Sequence, residues 1–479
     1  MAIGKGAEQR WVDTMITGAL VLPMTKGVPL IEDGAVAVDG GRIVAVGPTD
    51  DLRSRYRGRQ EVDGRKRAIL PGFVNTHFHF TQNFLKGSRD DVSLLDWINQ
   101  VSFPRILEVV GQYRRREALY HHYSVLQGGI DLLRSGITCS VNMEWAMLPD
   151  IVDSYEQVGI RAVNTLTLTD VTSWTPEDAV LSHDEYFGLA GELISRCRES
   201  KDGRVGFAYG VACPNSNTKE LMVRARQHAT DDQVPLHIHL AETRYEFDRF
   251  MEEQGQTPTA FLESLGFWDR DVWAAHSIWL TEQDQDILAR YGVGVAHNPK
   301  CNMKISSGAA PVRDMLRRGI AVGLGVDSCA VSDNTDFFET MRTAVFLQRV
   351  TTMDPEAILG FEALDMATAM GAKAMKMDDR IGTLEEGKLA DLIVVDLTAV
   401  NIRPFNNLVN NLVFAANSSN IRSVMVGGEW LIENGKFVRF DEEAMLDEAE
   451  GYIAQLLKEK GLDVPSYFAI AQQGKETDQ

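Results

Sequence analysis

The chain has 479 residues, of which 44% are hydrophobic and 24% are charged, and its formal net charge is −20 at pH 7. This length exceeds one ordinary core, but it suits one large barrel with an appended domain. The acidic balance and the lack of a basic stretch argue against nucleic acid or an anionic membrane as a partner. No apolar run approaches the roughly 20 residues that cross a bilayer.

The cysteines indicate a reducing compartment. They are odd in number, widely spaced and form no C-x-x-C pair, which predicts neither a disulfide framework nor a zinc ribbon. Residues 1–20 lack the apolar segment of a signal peptide. We therefore expect a cytoplasmic protein. The five cysteines are Cys139, Cys197, Cys213, Cys301 and Cys329.

The two ends of the chain read as β-structure. Residues 35–47 hold two β-branched runs around a Gly-Gly turn, the pattern of a hairpin. Similar strand patterns return at 390–396 and 424–432. We expect residues 1–69 and 381–440 to form one composite β-sandwich, interrupted by a long insertion.

The insertion, residues 70–380, alternates strand and helix patterns, including helices at 257–265 and 309–318. Repeated strand–helix units over about 300 residues predict an α/β fold with a (β/α)8 TIM barrel. Residues 441–479 are expected to be a helical tail, since apolar residues recur at helical spacing in 441–460. The predicted barrel strands lie at 138–142, 162–168, 205–210, 236–240, 272–275, 293–296 and 321–325.

Polar residues stand where these strands end. His77 and His79 follow the apolar run 68–74, and alternate residues of an extended strand face the same way, about 6–7 Å apart. Such a pair can hold a metal ion, because imidazole is a ligand for zinc and iron. Strand ends converge at one rim of a barrel, where active sites lie. The other polar residues at strand ends are His237, His239, His276, His297 and Asp327.

In combination, these motifs resemble the amidohydrolase superfamily. The match is to its mononuclear-metal aminohydrolase branch, which includes nucleoside, guanine and triazine hydrolases related to atrazine chlorohydrolase. The family fold, a barrel inserted into a β-sandwich, agrees with the split organisation. The motifs lie at 71–79, 239–242, 275–276, 297–304, 325–328 and 382–392.

The resemblance implies one divalent metal, with zinc expected and iron as the alternative. No lysine occurs in 205–210, where binuclear relatives carry a bridging lysine, and this favours one metal over two. Glu242 matches the family's proton-shuttling glutamate, and His276 matches the histidine that orients water or polarises the substrate. Asp327 can act as ligand and base, whereas His237 remains open between a supporting and a core role. The metal ligands implied are His77, His79, His239 and Asp327.

The substrate pocket is predicted from loops that follow the strands. Relatives acting on adenosine-type nucleosides carry Glu where this chain has Ile106, and His where it has Ala212. We therefore expect a free purine, pterin, pyrimidine or s-triazine ring rather than a nucleoside. The predicted substrate contacts are Gln82, Trp97, Glu144, His297 and Asn302.

The sequence thus predicts a metal-dependent aminohydrolase, which releases ammonia from a cyclic amidine in a small heterocyclic substrate. One alternative keeps the site but changes the leaving group, as in dechlorination or hydrolysis of an amide or N-alkyl group. A second alternative is a non-catalytic scaffold on the same barrel. A homo-oligomer is expected from the resemblance alone.

Overall fold

The structure, a computed structural model, describes residues 9–462. The outer parts of the predicted end domain and tail, 1–8 and 463–479, lie outside the described residues. The strands are β1 Arg10–Val21, β2 Ile31–Asp39, β3 Arg42–Pro48, β4 Tyr56–Asp63, β5 Arg67–Pro71, β6 Phe73–Asn75, β7 Ile137–Glu144, β8 Arg161–Leu168, β9 Val205–Val211, β10 Leu236–Leu240, β11 Val272–His276, β12 Gly294–His297, β13 Val322–Leu324, β14 Leu392–Asp396, β15 Ile421–Val426, β16 Glu429–Glu433 and β17 Lys436–Phe437.

The helices lie mostly between the central strands. They are α1 Thr49–Arg55, α2 Leu94–Trp97, α3 Phe103–Arg114, α4 Leu119–Arg134, α5 Ile151–Val158, α6 His183–Arg198, α7 Lys219–Asp232, α8 Arg244–Gln254, α9 Pro258–Ser264, α10 Glu282–Tyr291, α11 Pro299–Lys304, α12 Val312–Arg317, α13 Cys329–Ser332, α14 Phe337–Thr352, α15 Gly360–Met366, α16 Ala369–Ala374, α17 Leu408–Ala415 and α18 Glu442–Lys460.

Strands β6 to β13 lie side by side in chain order as a parallel sheet. The sheet closes on itself, because the Thr76 amide donates to the Leu324 carbonyl (2.9 Å) and the Asp327 amide to the His77 carbonyl (3.0 Å). All residues of β7 and β8 are buried, as expected of parallel strands covered on both faces. The predicted (β/α)8 barrel is confirmed.

The strands from the two chain ends form one nine-stranded sheet. Its order is β17-β16-β15-β14-β5-β1-β2-β3, with β4 paired to β1. Strand β5 joins the two ends, since Ile69 lies beside Val21 of β1 and Leu70 lies opposite Ile393 of β14. The expectation that both chain ends contribute to one sheet is confirmed.

The predicted hairpin is the pair β2–β3, with Val36 opposite Val46. Its turn contains Gly40 and Gly41, whose φ angles are 56° and 76°. These positive angles suit glycine. A side chain at Gly41 would also meet the Gly427 carbonyl oxygen at 2.9 Å, so the turn packs tightly against the loop between β15 and β16.

A buried ion pair fastens the barrel to this sheet. Arg161, at the start of β8, donates from Nε to Asp391 Oδ2 (2.7 Å) and from Nη2 to Oδ1 (3.0 Å). The two side chains are 1% and 2% exposed. Asp391 also accepts from the Gly427 amide at 2.7 Å. Both carboxylate oxygens therefore have partners, as a buried charge requires.

Helix α18 forms the predicted terminal helix. Asp441 caps it by accepting from the Ala444 amide at 3.2 Å. Met445 and Ala449 are buried, and the ring of Tyr452 packs at a tilt against that of Tyr123 in α4, with centroids 5.2 Å apart. Within residues 9–462, no helix is long and apolar enough to cross a membrane.

Candidate active site

Five of the polar residues predicted at strand ends gather at one rim of the barrel: His77, His79, His239, His276 and Asp327. Strand β6 ends at Asn75, so His77 and His79 follow the strand instead of ending it. Their backbone remains extended, and Phe78 between them forms a parallel bridge with Asp327. Phe78 is fully buried in the core, while the two imidazole rings turn to the rim with centroids 4.8 Å apart. Alternation therefore places both histidines on one face, as predicted.

Three histidines present the same ring nitrogen to a common point. The Nδ1 of His79 lies 2.5 Å from the Met143 carbonyl oxygen, and that of His239 lies 2.7 Å from the Ala212 carbonyl oxygen. A carbonyl only accepts, so each Nδ1 carries the proton and each Nε2 keeps a lone pair. The Nε2 atoms of His77 and His79 each lie 3.6 Å from Asp327 Oδ1.

The ring of His77 is held by His237. His77 Nδ1 and His237 Nε2 are 2.8 Å apart, and His237 Nδ1 lies 3.0 Å from the Trp273 carbonyl oxygen. His237 must donate to that carbonyl, so its Nε2 accepts from His77. Burial lowers the pKa of His237 to about 3, which keeps its ring neutral. His237 therefore has a supporting role, one of the two roles that the sequence left open.

The donor set fits a divalent metal ion. The Nε2 atom of His77 is buried and has no hydrogen-bond partner among the described residues, an arrangement that requires an explanation. Ligand atoms of His77, His79 and Asp327 lie within 4.8 Å of one another, as do those of His77, His239 and His276. Burial lowers the pKa of His77 and His239 well below the usual value, and the neighbouring histidines lower it further. Both rings are therefore neutral, and each can offer a nitrogen lone pair to a metal ion.

Glu242 and His276 stand beside this donor set. Glu242 Oε2 lies 3.5 Å from His276 Nε2, and Asp327 Oδ2 lies 3.7 Å from the same nitrogen. Burial, with the nearby charges of Glu246 and Asp327, raises the pKa of Glu242 well above its usual value. The carboxyl group therefore holds a proton readily, which suits a group that passes protons.

His276 and Asp327 have unusual backbone angles, with φ of 66° and 69°. Positive φ is costly for residues other than glycine and is concentrated at functional sites. Asn302 Oδ1 lies 3.0 Å from His276 Nδ1 and accepts its proton. Asn302, predicted as a substrate contact, is thus placed where it orients His276 and lies outside the cavity wall.

A cavity of about 320 Å³ opens above these residues. Gln82 and Trp97, two predicted substrate residues, line it, and so do Ile106 and Ala212. Phe103 and Trp145 contribute aromatic wall, with ring centroids 6.4 Å apart. A largely apolar cavity with polar groups on its floor is typical of a small-molecule site.

Two other predicted substrate residues lie outside the cavity wall. Both carboxylate oxygens of Glu144 are engaged by Thr81, at 2.7 Å from its amide and 2.6 Å from its hydroxyl. His297 ends β12, is fully buried, and has neither ring nitrogen bonded to another described residue. Glu144 therefore fixes the loop that carries Gln82, and His297 packs inside the barrel.

Several cavity residues were not predicted from the sequence. Tyr245 and Arg249 line the cavity from α8. They are four residues apart and follow shortly after Glu242, which places both side chains on one helix face. This spacing is the feature of the sequence from which they could have been predicted. Cys301 also lines the cavity, from within the motif at 297–304, where the sequence offered no reason to choose it over its neighbours.

The sequence matches the Amidohydrolase family over residues 68–431, and the Imidazolonepropionase-like composite domain of bacteria over 34–58. The 5'-deoxyadenosine deaminase of Methanobrevibacter smithii is 33% identical over 445 residues, covering 93% of this chain and 97% of the relative. The 5-methylthioadenosine/S-adenosylhomocysteine deaminase of Syntrophomonas wolfei subsp. wolfei is 35% identical over 425 residues, covering 88% and 93%.

One solved structure has a similar fold over nearly the whole length of this chain. The crystal structure of an adenosine deaminase from Xanthomonas campestris, with bound zinc, has a TM-score of 0.86 and 31% identity. The similarity covers 94% of this chain and 100% of that chain.

Proposed function

Since the chain belongs to the amidohydrolase family, we propose that it deaminates an amino-substituted purine ring and releases ammonia. Its relatives are named deaminases, and the chain is a hydrolase of carbon–nitrogen bonds in cyclic amidines, as the sequence predicts. The observation that carries the proposal is the convergence of three imidazole nitrogens and a carboxylate on the cavity floor, beside a buried carboxyl group.

His77, His79, His239 and Asp327 would hold the metal. We expect zinc, because three nitrogens and one oxygen are a common ligand set for it, and the similar adenosine deaminase contains bound zinc. The chemistry that such an ion supplies is the acidification of water, whose pKa falls from 15.7 towards about 7.

The protein residues then move the protons. The Asp327 carboxylate accepts a proton from the water whose oxygen bonds to the ring carbon. Glu242 delivers its proton to the ring nitrogen beside that carbon, takes the second proton from the oxygen and passes it to the amino nitrogen. The carbon–nitrogen bond then breaks, ammonia leaves, and the ring keeps a carbonyl oxygen. The proton held by Asp327 returns to Glu242. His276, oriented by Asn302, accepts a hydrogen bond from the same water through the lone pair of Nε2.

The substrate is inferred from the relatives and from the cavity wall. All three relatives described above are named for adenosine-type substrates, which favours a 6-aminopurine ring over a pterin, pyrimidine or triazine. Ile106 and Ala212 line the cavity, so neither position offers a charged or imidazole group to a ribose. We therefore expect the ring to supply most of the recognition.

Ammonia release across a matched panel tests the proposal. The panel contains adenine, adenosine and 5'-modified adenosines, together with guanine, cytosine and an amino-triazine. Zinc-loaded enzyme is expected to release ammonia from a 6-aminopurine compound with the highest kcat/KM. A 6-chloropurine analogue that released chloride faster than any amine released ammonia would favour dechlorination. No turnover of any compound by fully metallated protein would favour a non-catalytic scaffold.

A further inference from the structure

Cys301 is a buried thiol that the proposed reaction does not use. It lies on α11, is 1% exposed, and borders the cavity. One ligand atom each of Cys301, Glu242 and His276 lies within 4.8 Å of the others. Thiolate, imidazole and carboxylate together form a ligand set for zinc and similar ions.

A second observation points to the same place. His276 Nε2 is buried and has no hydrogen-bond partner within residues 9–462. Its other nitrogen, Nδ1, donates a hydrogen bond to Asn302 Oδ1, so Nε2 holds the lone pair. That lone pair lies 3.5 Å from Glu242 Oε2, a separation that suits two ligands of one ion.

Asp327 divides its oxygens between the two clusters. Oδ1 lies 3.6 Å from the Nε2 atoms of His77 and His79, and Oδ2 lies 3.7 Å from that of His276. A carboxylate placed in this way can bridge two ions, as in binuclear sites whose metals are about 3.5–4 Å apart. The second cluster is therefore adjacent to the first, and Glu242 and Cys301 belong to it alone.

We propose that Glu242, His276 and Cys301 form a second metal site, which binds zinc or a similarly soft divalent cation and inhibits the enzyme when filled. The inhibitory part rests on the proposed function. An ion in this site is coordinated by the carboxylate of Glu242 and the free nitrogen of His276. Glu242 can then no longer transfer protons, and His276 can no longer bind the reacting water. It also occupies the cavity floor, so we expect it to compete with substrate.

The sequence favours one metal because no lysine is present in 205–210. The second site needs no such lysine, since its sulfur ligand comes from α11. We expect it to remain empty at limiting zinc and to fill when zinc is in excess.

Inhibition by excess metal tests the functional half. Zinc-loaded enzyme is assayed with added Zn²⁺, and each variant is scored against its own activity without added zinc. Loss of a general acid lowers turnover about 10²–10⁴-fold, so saturating zinc should reduce activity by at least about 100-fold. Magnesium, which prefers oxygen ligands, should not inhibit. Cys301→Ser and Cys301→Ala should both lose the zinc inhibition.

The matched control is Cys213→Ser. Cys213 borders the same cavity, but its thiol is 3.3 Å from Ser216 Oγ and belongs to none of the ligand clusters. This variant should be inhibited like the unchanged protein. Equal inhibition of the Cys301 variants and the unchanged protein, or no inhibition of the unchanged protein, would overturn the inhibitory role.

Cobalt spectroscopy tests the site without an activity assay. Holoenzyme titrated with Co²⁺ should gain a sulfur-to-cobalt charge-transfer band in the near ultraviolet as a further equivalent binds. The first site has only nitrogen and oxygen ligands, so the band reports on Cys301 alone. The band should persist in Cys213→Ser and vanish in Cys301→Ser. A titration without the band would refute the site, even if deamination is established; the band would support it even if deamination fails.

Discussion

The Nδ1 atom of His77 lies 2.8 Å from the Nε2 atom of His237, and this contact fixes which nitrogen of His77 faces Asp327. His237 is anchored in turn by the Trp273 carbonyl, at 3.0 Å. A backbone carbonyl thereby sets the tautomers of two successive rings. Contacts of this kind orient metal-ligating histidines and raise their basicity.

Replacing His237 by Phe should weaken metal binding about 10–100-fold, because His77 loses the acceptor for its Nδ1 proton. Competition with a chelator measures this affinity. His297→Phe is the matched control, since His297 is also a buried barrel histidine but has no hydrogen bond to a described residue. Equal affinities for the two variants would contradict the role of His237.

Asn302→Leu should lower kcat about 10–100-fold while the metal content stays unchanged, because His276 loses the acceptor that orients it. Asn302→Asp keeps an acceptor oxygen and should recover part of the activity. Steady-state kinetics and elemental analysis of the same samples separate the two effects. A purely structural role would leave the Leu and Asp variants with the same kcat.

Gln82→Leu should raise KM about two- to tenfold with little change in kcat. The Gln82 side chain borders the cavity and has no hydrogen bond to another described residue, so its amide is available to the substrate. One hydrogen bond contributes about 0.5–1.5 kcal/mol, which corresponds to that change in KM. An unchanged KM for the best substrate of the panel would remove Gln82 from the binding site.

Asp391→Asn should destabilise the fold by about 3–5 kcal/mol, because it leaves the buried guanidinium of Arg161 without its charged partner. Chemical denaturation followed by circular dichroism measures the loss. The control is Asp39→Asn, which breaks an ion pair with Arg10, whose side chain is 62% exposed. That variant should unfold near the midpoint of the unchanged protein. Matching midpoints for all three proteins would contradict a fastening role for Asp391.

The barrel and its polar rim could be predicted from the sequence because both follow from periodicity. Alternation places His77 and His79 on one side of the chain, and parallel strands bring their ends to one rim. The strands at the two chain ends were recognisable by the same period, and the structure pairs them through β5 and β14.

The contacts between loops could not be predicted in this way. Glu144 ends strand β7, where a substrate residue often lies, yet it binds Thr81, a residue 63 positions earlier. Asn302 reaches His276 across 26 positions. Such partners depend on side-chain directions in the folded rim, and strand spacing does not contain that information.

The most direct measurement is turnover and metal content of Glu242→Gln in one preparation. Glutamine has nearly the same shape as glutamate but carries no transferable carboxyl proton. We predict that the variant retains one equivalent of tightly bound metal and loses ammonia release from a 6-aminopurine substrate by about 10²–10⁴-fold. Near-normal ammonia release by the fully metallated variant would contradict the proton-transfer role of Glu242, and with it the proposed hydrolytic centre.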